Sequence, residues 1–169
     1  MAALISGASN AYAKEARTLA ASGNSPYIQL QAAHSGKCLT IKDSTMQEGP
    51  YAVQMNCTEG ADNQLFSLRS QQKATFQVIA KHSGRCLSSG EDFDWKAGQR
   101  WCFDFTDTND HNSWTIVMVQ VADRLYELRP VEAPDYCLTV YAASTGDGAK
   151  AHIGLCDGDS SQRWRIKQP

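Results

Sequence analysis

The hexapeptide HSGKCL at positions 34–39 returns as HSGRCL at positions 82–87. Recurrence of this kind limits a chain to architectures built by copying one supersecondary unit. The copied unit is much longer than six residues. Segment 27–70 opens YIQLQAAHSGKCLTI and closes NQLFSLRS, segment 75–119 opens TFQVIAKHSGRCLSS and closes HNSWTIVMV, and segment 125–169 opens LYELRPVEAPDYCLTV and closes SQRWRIKQP. Leu39, Leu87 and Leu138 stand 48 and 51 residues apart. The third copy has lost the HSG but keeps the Cys-Leu pair.

The cysteines follow the same beat. Each copy carries two: Cys38 and Cys57, Cys86 and Cys102, Cys137 and Cys156. Six cysteines allow 15 connectivities, but three equivalent units reduce the choice to one bridge inside each copy. The predicted disulfides are Cys38–Cys57, Cys86–Cys102 and Cys137–Cys156, each closing a loop worth about 3 kcal/mol on the chain-entropy account. A disulfide framework in a small domain implies an oxidising compartment, so the protein is expected to be secreted or extracellular. With no CxxC pair and four dispersed histidines, neither a metal nor another cofactor is expected.

Within each copy, short runs of alternating or β-branched residues are separated by turn chemistry. In the first copy they fall near Tyr27–Gln31, Lys37–Ile41, Ala52–Met55 and Leu65–Leu68. The tracts DSTMQEGP, SSGEDFDW and ASTGDG read as loops between the second and third runs. Three copies predict about twelve strands and an all-β chain. Residues 1–26 differ: SNAYAKEARTLAASG offers Ser9 or Asn10 as N-cap and Gly23 as a C-terminal stop, with Tyr12, Ala16 and Leu19 on one helical face. This segment reads as a short helix or linker, which would serve for attachment to a larger assembly. It lacks the basic region and continuous apolar run of a signal peptide.

The 169 residues suit one domain with a short appendage. A net charge of −2 and a pI near 6.0 give no basic field for nucleic acid. No apolar stretch approaches the roughly 20 residues that would insert across a bilayer. His34, Ser35 and Cys38 superficially suggest nucleophilic chemistry, but the cysteine has a partner to bridge. No G-x-S-x-G, H-E-x-x-H or phosphate loop accompanies them. The chain is therefore not expected to be an enzyme.

An aromatic–x–(Leu/Val) opening, Cys-Leu, a second Cys and a Gln-x-Trp-like ending resemble the repeat of ricin B-type (R-type) lectins. Asn63-Gln64-Leu65-Phe66, Asn112-Ser113-Trp114 and Ser161-Gln162-Arg163-Trp164 occupy the motif's place. The resemblance covers about residues 27–169. It implies a β-trefoil, in which three four-stranded units close a six-stranded barrel capped by three hairpins. Phe66, Trp114 and Trp164 are expected in the core. The motif's Gln is expected to brace the binding loop.

The resemblance further implies up to one shallow sugar pocket per copy. In the family an Asp two residues after the first Cys grips vicinal hydroxyls, a ring near the second Cys stacks on the sugar, and the motif Asn adds a polar contact. This sequence departs at all three places. Thr40, Ser88 and Thr139 replace the Asp, Met55, Arg100 and Gly154 replace the ring, and only Asn63 retains the Asn, with His111 and Ser161 elsewhere. Substitutes stand nearby: Asp43, Gln54 and Asn63 in copy one; Asp92, Asp94, Trp95, Gln99 and Trp101 in copy two; and Tyr141, Asp147 and His152 in copy three. Copies one and two, richer in acids and aromatics, are the better candidates on this reading. The expected function is a non-enzymatic carbohydrate-binding module for glycans or glycoproteins, targeting a secreted enzyme or toxin assembly. The alternative is a scaffold trefoil whose partner is protein and whose sugar sites have decayed.

Overall fold

A computed structural model describes residues 27–90, 95–103 and 111–169. Each copy supplies four strands: β1 (Gln29–Ala32), β2 (Cys38–Ile41), β3 (Ala52–Met55) and β4 (Phe66–Ser70); β5 (Phe76–Ala80), β6 (Cys86–Ser88), β7 (Gly98–Arg100) and β8 (Ser113–Gln120); β9 (Leu125–Pro130), β10 (Tyr136–Val140), β11 (Ala151–Leu155) and β12 (Trp164–Lys167). The alternation that marks a half-buried strand is plain in β1, where Leu30 and Ala32 are buried and Gln29 and Gln31 are not.

The first and last strands of each copy form the barrel, running β1–β12–β9–β8–β5–β4 through antiparallel pairs. Closure comes from Ile28 and Phe66, whose N–H groups each donate to the other's carbonyl at 2.7 and 2.9 Å. Strands β2–β3, β6–β7 and β10–β11 make the three hairpins. The hairpins converge on Ala52, Ala97 and Ala151, all wholly buried. Ala52 N–H donates to Ala97 O at 2.8 Å, and Ala97 N–H to Ala151 O at 3.0 Å. Only small side chains let three backbones meet this closely. The result is the β-trefoil that the family resemblance implies.

Phe66, Trp114 and Trp164 are wholly buried in the core. The two indole N–H groups donate to Leu87 O at 3.0 Å and Leu138 O at 2.9 Å, each the leucine of its own copy's Cys-Leu pair. Burial of a polar N–H thus comes with a partner, as it must. The disulfides join Cys38 to Cys57, Cys86 to Cys102 and Cys137 to Cys156. The N-terminal helix or linker expected over 1–26 lies outside the described residues.

The HSG stamp makes a turn and also something its local sequence does not suggest. Gly36 and Gly84 adopt φ of +71° and +66° with open space around the position of a side chain, so the left-handed backbone alone selects glycine. The histidine before each reaches into a different copy. His34 Nε2 donates to Ser144 O at 2.9 Å, and His82 Nε2 donates to Thr45 O at 3.0 Å. A buried glutamine completes each clamp. Gln54 Nε2 donates to Ser144 O and Gly146 O at 2.7 and 2.8 Å, while its Oε1 accepts from Ser35 Oγ at 2.8 Å. Gln99 does the same with Thr45 O, Gln47 O and Ser83 Oγ.

Copy one therefore grips the hairpin loop of copy three, and copy two grips that of copy one. At the third junction Ala133, Pro134 and Ile153 hold the clamp positions and have no side-chain polar group to offer. Other contacts stand there: the Trp95 ring stacks on Tyr136 with centroids 5.3 Å apart, and Glu132 of copy three accepts from Ser89 Oγ and His111 Nδ1 of copy two. Gln99→Ala would remove one donor from Thr45 O, the side-chain donor to Gln47 O and the acceptor of Ser83 Oγ, and is expected to destabilise the protein by about 1–2 kcal/mol. Urea unfolding checks this, with Arg100→Ala on the next residue as reference.

Candidate functional site

The three family positions come together in copy three. Thr139, Gly154 and Ser161 line an open recess of about 340 Å³. Antiparallel pairing of β10 with β11 sets Thr139 opposite His152 and Cys137 opposite Gly154. At the floor, Thr139 Oγ1 lies 3.2 Å from Ser161 Oγ. A side chain on Gly154 would begin 3.1 Å from Thr139 Cγ2 and 3.4 Å from His152 Nε2, so this glycine keeps the recess open.

Two acids border the same recess from the loop after Cys156. Asp159 Oδ1 accepts from Ser161 N–H at 2.7 Å, capping the 3-10 turn Ser160–Gln162. That backbone bond, aided by the Ser161 hydroxyl, holds the Asp159 carboxyl below the usual carboxylate range. Asp157 Oδ1 accepts from Asp159 N–H at 2.9 Å. Beneath them the motif Gln162 braces the loop: Nε2 donates to Leu155 O at 2.6 Å, and Oε1 accepts from Asp157 and Gly158 N–H at 3.0 and 3.3 Å. Gln64 braces copy one in the same way, through Thr58 N–H and Asn56 O.

His152 walls the recess on its other side. Partial burial pushes its pKa below the ordinary imidazole value, so the ring is neutral at pH 7 and offers one donor and one acceptor. Tyr141 meets it edge-on at 5.3 Å but lies outside the recess.

The remaining expected residues are arranged differently. Gln54 and Gln99 are wholly buried with their amides bonded in the clamps, so they are structural and do not face ligand. Asn63 Nδ2 donates to Ile41 O at 2.9 Å, and Asp43 is exposed with its carboxylate 3.8 Å from Lys42 Nζ. Thr40 itself donates to Cys38 O at 2.9 Å and accepts from Gln64 Nε2 at 3.1 Å, which commits its only donor inward. Trp101 is half exposed, but the Arg85 guanidinium covers one ring face at 3.6 Å. Trp95 stands on Tyr136 at the third junction. Asp92 and Asp94 lie outside the described residues. The recess therefore opens in copy three, which had looked the thinnest.

Asp147 belongs to the junction between copies one and three. It accepts from Lys37 Nζ at 2.8 Å, Asn56 N–H at 3.1 Å and Asn56 Nδ2 at 3.2 Å. The Lys37 ammonium holds its carboxyl below the usual carboxylate value. A depressed folded-state pKa means that the contribution is complete above the unfolded value near 4 and is lost as pH falls through the lowered one. An NMR titration is expected to give Asp147 a midpoint below that of a free aspartate, and Lys37→Ala to raise it.

Asp157 and Asp159 were not signalled by the family's spacing, which puts the acid after the first cysteine. The local clue was the DGD run directly after Cys156, on the path to the Gln-x-Trp ending.

Residues 17–99 match the ricin-type β-trefoil lectin domain-like family. No curated protein sequence matches the chain. Similar solved structures include ThreeFoil, a designed threefold-symmetric protein, at 27% identity and a TM-score of 0.74, over 85% of this chain and 99% of that one. The C-half of the earthworm R-type lectin, in complex with GalNAc, superimposes with a TM-score of 0.67 at 16% identity, over 85% and 98% of the two chains. A chain of the Haemophilus ducreyi cytolethal distending toxin does so with a TM-score of 0.67 at 13% identity, over 100% and 89%. At these lower identities the likeness is one of fold. The family match over residues 17–99, the threefold repeat, the Gln-x-Trp braces and the closed barrel agree that this chain is a β-trefoil similar to the ricin-type lectin-like family.

Proposed function

We propose that the protein is a non-enzymatic carbohydrate-binding module that takes a sugar in the recess of copy three. One observation carries this reading: Thr139, Gly154 and Ser161 line a single open recess whose border bears two carboxylates. A sugar combines directional hydroxyls with an apolar C–H face. Asp157 and Asp159 supply carboxylate acceptors for the first, and Ala142 and Leu155 supply apolar surface for the second. No Phe, Tyr or Trp ring lines the recess, and a shallow site of this kind is expected to bind at roughly millimolar Kd, about −4 kcal/mol.

The non-enzymatic part draws on the six cysteines, all bridged so that no thiolate nucleophile is available, and on the arrangement of Ser89, Glu132 and His111. Glu132 Oε1 accepts from both Ser89 Oγ and His111 Nδ1, so the carboxylate stands between serine and histidine. A serine nucleophile needs the histidine next to it as base. Three disulfides and the lectin-like domain favour an extracellular setting. Among the described residues no helix is long and apolar enough to cross a membrane. We place the module in a secreted assembly, either an enzyme or a toxin, with residues 1–26 as its attachment.

A scaffold role draws on a separate observation, the commitment of Thr40, Gln54 and Gln99 to internal bonds in copies one and two. A glycan array on the full chain, followed by titration of Asp159→Asn and Ser161→Ala, separates the two. The sugar reading expects millimolar binding weakened about five- to tenfold by either substitution. Absence of any glycan binding at millimolar ligand would leave the scaffold reading.

A further inference from the structure

The junction between copies two and three holds a cavity of about 170 Å³. One backbone bond recurs at all three junctions: Gln54 N–H donates to Ala149 O, Gln99 N–H to Pro50 O and Ile153 N–H to Trp95 O. The positions are therefore equivalent, and the third junction departs at both. Ile153 stands where the other copies bury a glutamine, and Trp95 stands where they carry alanine or proline. With no amide to bond a loop carbonyl, Ile153 presents hydrocarbon to the cavity, beside Pro130 and Ala133.

Trp95 borders the same cavity. Its stack on Tyr136, with the ring planes 15° apart, holds the indole in place while more than half of the residue stays exposed. The backbone there sits at φ +60°, a left-handed conformation uncommon for a bulky side chain. Outliers of this kind persist where the surroundings over-determine them, and they cluster at ligand sites. The polar edge of the cavity is Glu132. Its Oε1 accepts from Ser89 Oγ and, at 3.2 Å, from His111 Nδ1, and its Oε2 has no partner among the described residues. Those two bonds commit the Ser89 hydroxyl and the His111 Nδ1 proton to the carboxylate.

We propose that this cavity binds a small alkylammonium group. The cation lies against the Trp95 indole, whose ring attracts it, and next to Glu132 Oε2, while its carbon substituents meet Pro130, Ala133 and Ile153. Apolar walls strengthen the attraction between ammonium and carboxylate relative to open water. An anion would meet the charge of Glu132, and a polyol would find its donors already committed. The site is separate from the recess of copy three. Ile153 alternates with His152 and Gly154 along β11, so the two lie on opposite sides of that strand.

NMR titration of the full oxidised chain tests the proposal with choline, with butylammonium and with the uncharged carbon analogue of choline, in which tert-butyl replaces trimethylammonium. At least one cation is expected to bind at roughly millimolar Kd, shifting the Trp95 indole N–H and the Ile153 amide. The uncharged analogue should bind about tenfold more weakly, for want of the cation–π and carboxylate attractions. Choline and butylammonium tell a quaternary from a primary ammonium. Glu132→Gln should bring the cation down to the affinity of the uncharged analogue, and Trp95→Ala should weaken it about fivefold or more. Asp159→Asn, in the recess of copy three, should leave it unchanged. Glutamine keeps an acceptor for Ser89 and His111, and thermal melts confirm folding. If that variant unfolds, the ligand comparison on the unaltered chain and Trp95→Ala still decide. Absence of shifts with both cations would overturn the proposal, as would equal binding of choline and its uncharged analogue or cation binding indifferent to both substitutions. Lactose shifting the same signals while neither cation does would also overturn it and give the cavity to a sugar.

Discussion

Complete reduction of the three disulfides is expected to unfold the protein under conditions where the oxidised form is stable. Each bridge closes a loop of 16 to 19 residues, from the second strand of a copy to the segment after its third. On the chain-entropy account such a loop is worth about 3 kcal/mol, so the three together supply roughly 9 kcal/mol. Net stabilities of single domains are about 5–15 kcal/mol, which makes the bridges comparable to the whole margin. Cys38, Cys86 and Cys137 are wholly buried, but Cys57 is exposed and Cys102 and Cys156 are half exposed, so a thiol reductant has a sulfur to attack in every copy. Far-ultraviolet circular dichroism and intrinsic fluorescence, followed with and without reductant, check this. An unchanged melting temperature after full reduction would show that the barrel core is sufficient alone.

Trp164→Ala should cost about 3–5 kcal/mol, a size reserved for large buried rings. The indole is wholly buried and its N–H meets Leu138 O at 2.9 Å, so truncation leaves both a cavity and an unpaired carbonyl. For a domain of this size each kcal/mol moves Tm by roughly 2–4 °C, which gives a fall on the order of 10 °C. Trp164→Phe separates the two contributions. Copy one carries Phe66 at the equivalent position, so a phenyl ring suits the environment, and the loss of the indole bond alone should cost about 1 kcal/mol. Trp101→Ala, on an exposed ring, is the contrasting control and should cost less than Trp164→Phe. Urea denaturation of the three variants places them in order.

Most of the fold was legible because its signals are local and said three times over. Strand β3 lies at Ala52–Met55 as read, and the other strands of copy one shift by only a residue or two. A strand announces itself by the alternation of its own residues, and repetition averages out accidents in any one copy. Cysteine pairing was legible for the same reason.

The site was less so. Gln54 and Gln99 are polar residues on hairpin strands, and nothing beside them in the chain says whether their amides face solvent or a carbonyl. The carbonyls they bind, from Thr45 to Gly146, belong to another copy and arrive there only when the barrel closes. Asp147 was misplaced likewise, since its partners Lys37 and Asn56 are 110 and 91 residues away. Asp157 and Asp159 could have been suspected from the DGD run, but only the turn at Ser160–Gln162 brings them over Thr139.

The repeat, the strands and the bridges were fixed by residues near one another in one unit, and the closed trefoil was expected from the family resemblance, because its closure joins β1 to β12 at opposite ends of the chain. Tertiary structure decided which copy keeps an open recess and what surrounds it. Gly154, Thr139, Ser161 and the paired acids must meet across a hairpin and a turn, and Trp95, Glu132 and Ile153 meet only where copy two touches copy three. Repetition specifies a unit. Differences among its copies acquire meaning where the copies touch, and those contacts exist only after the chain has folded.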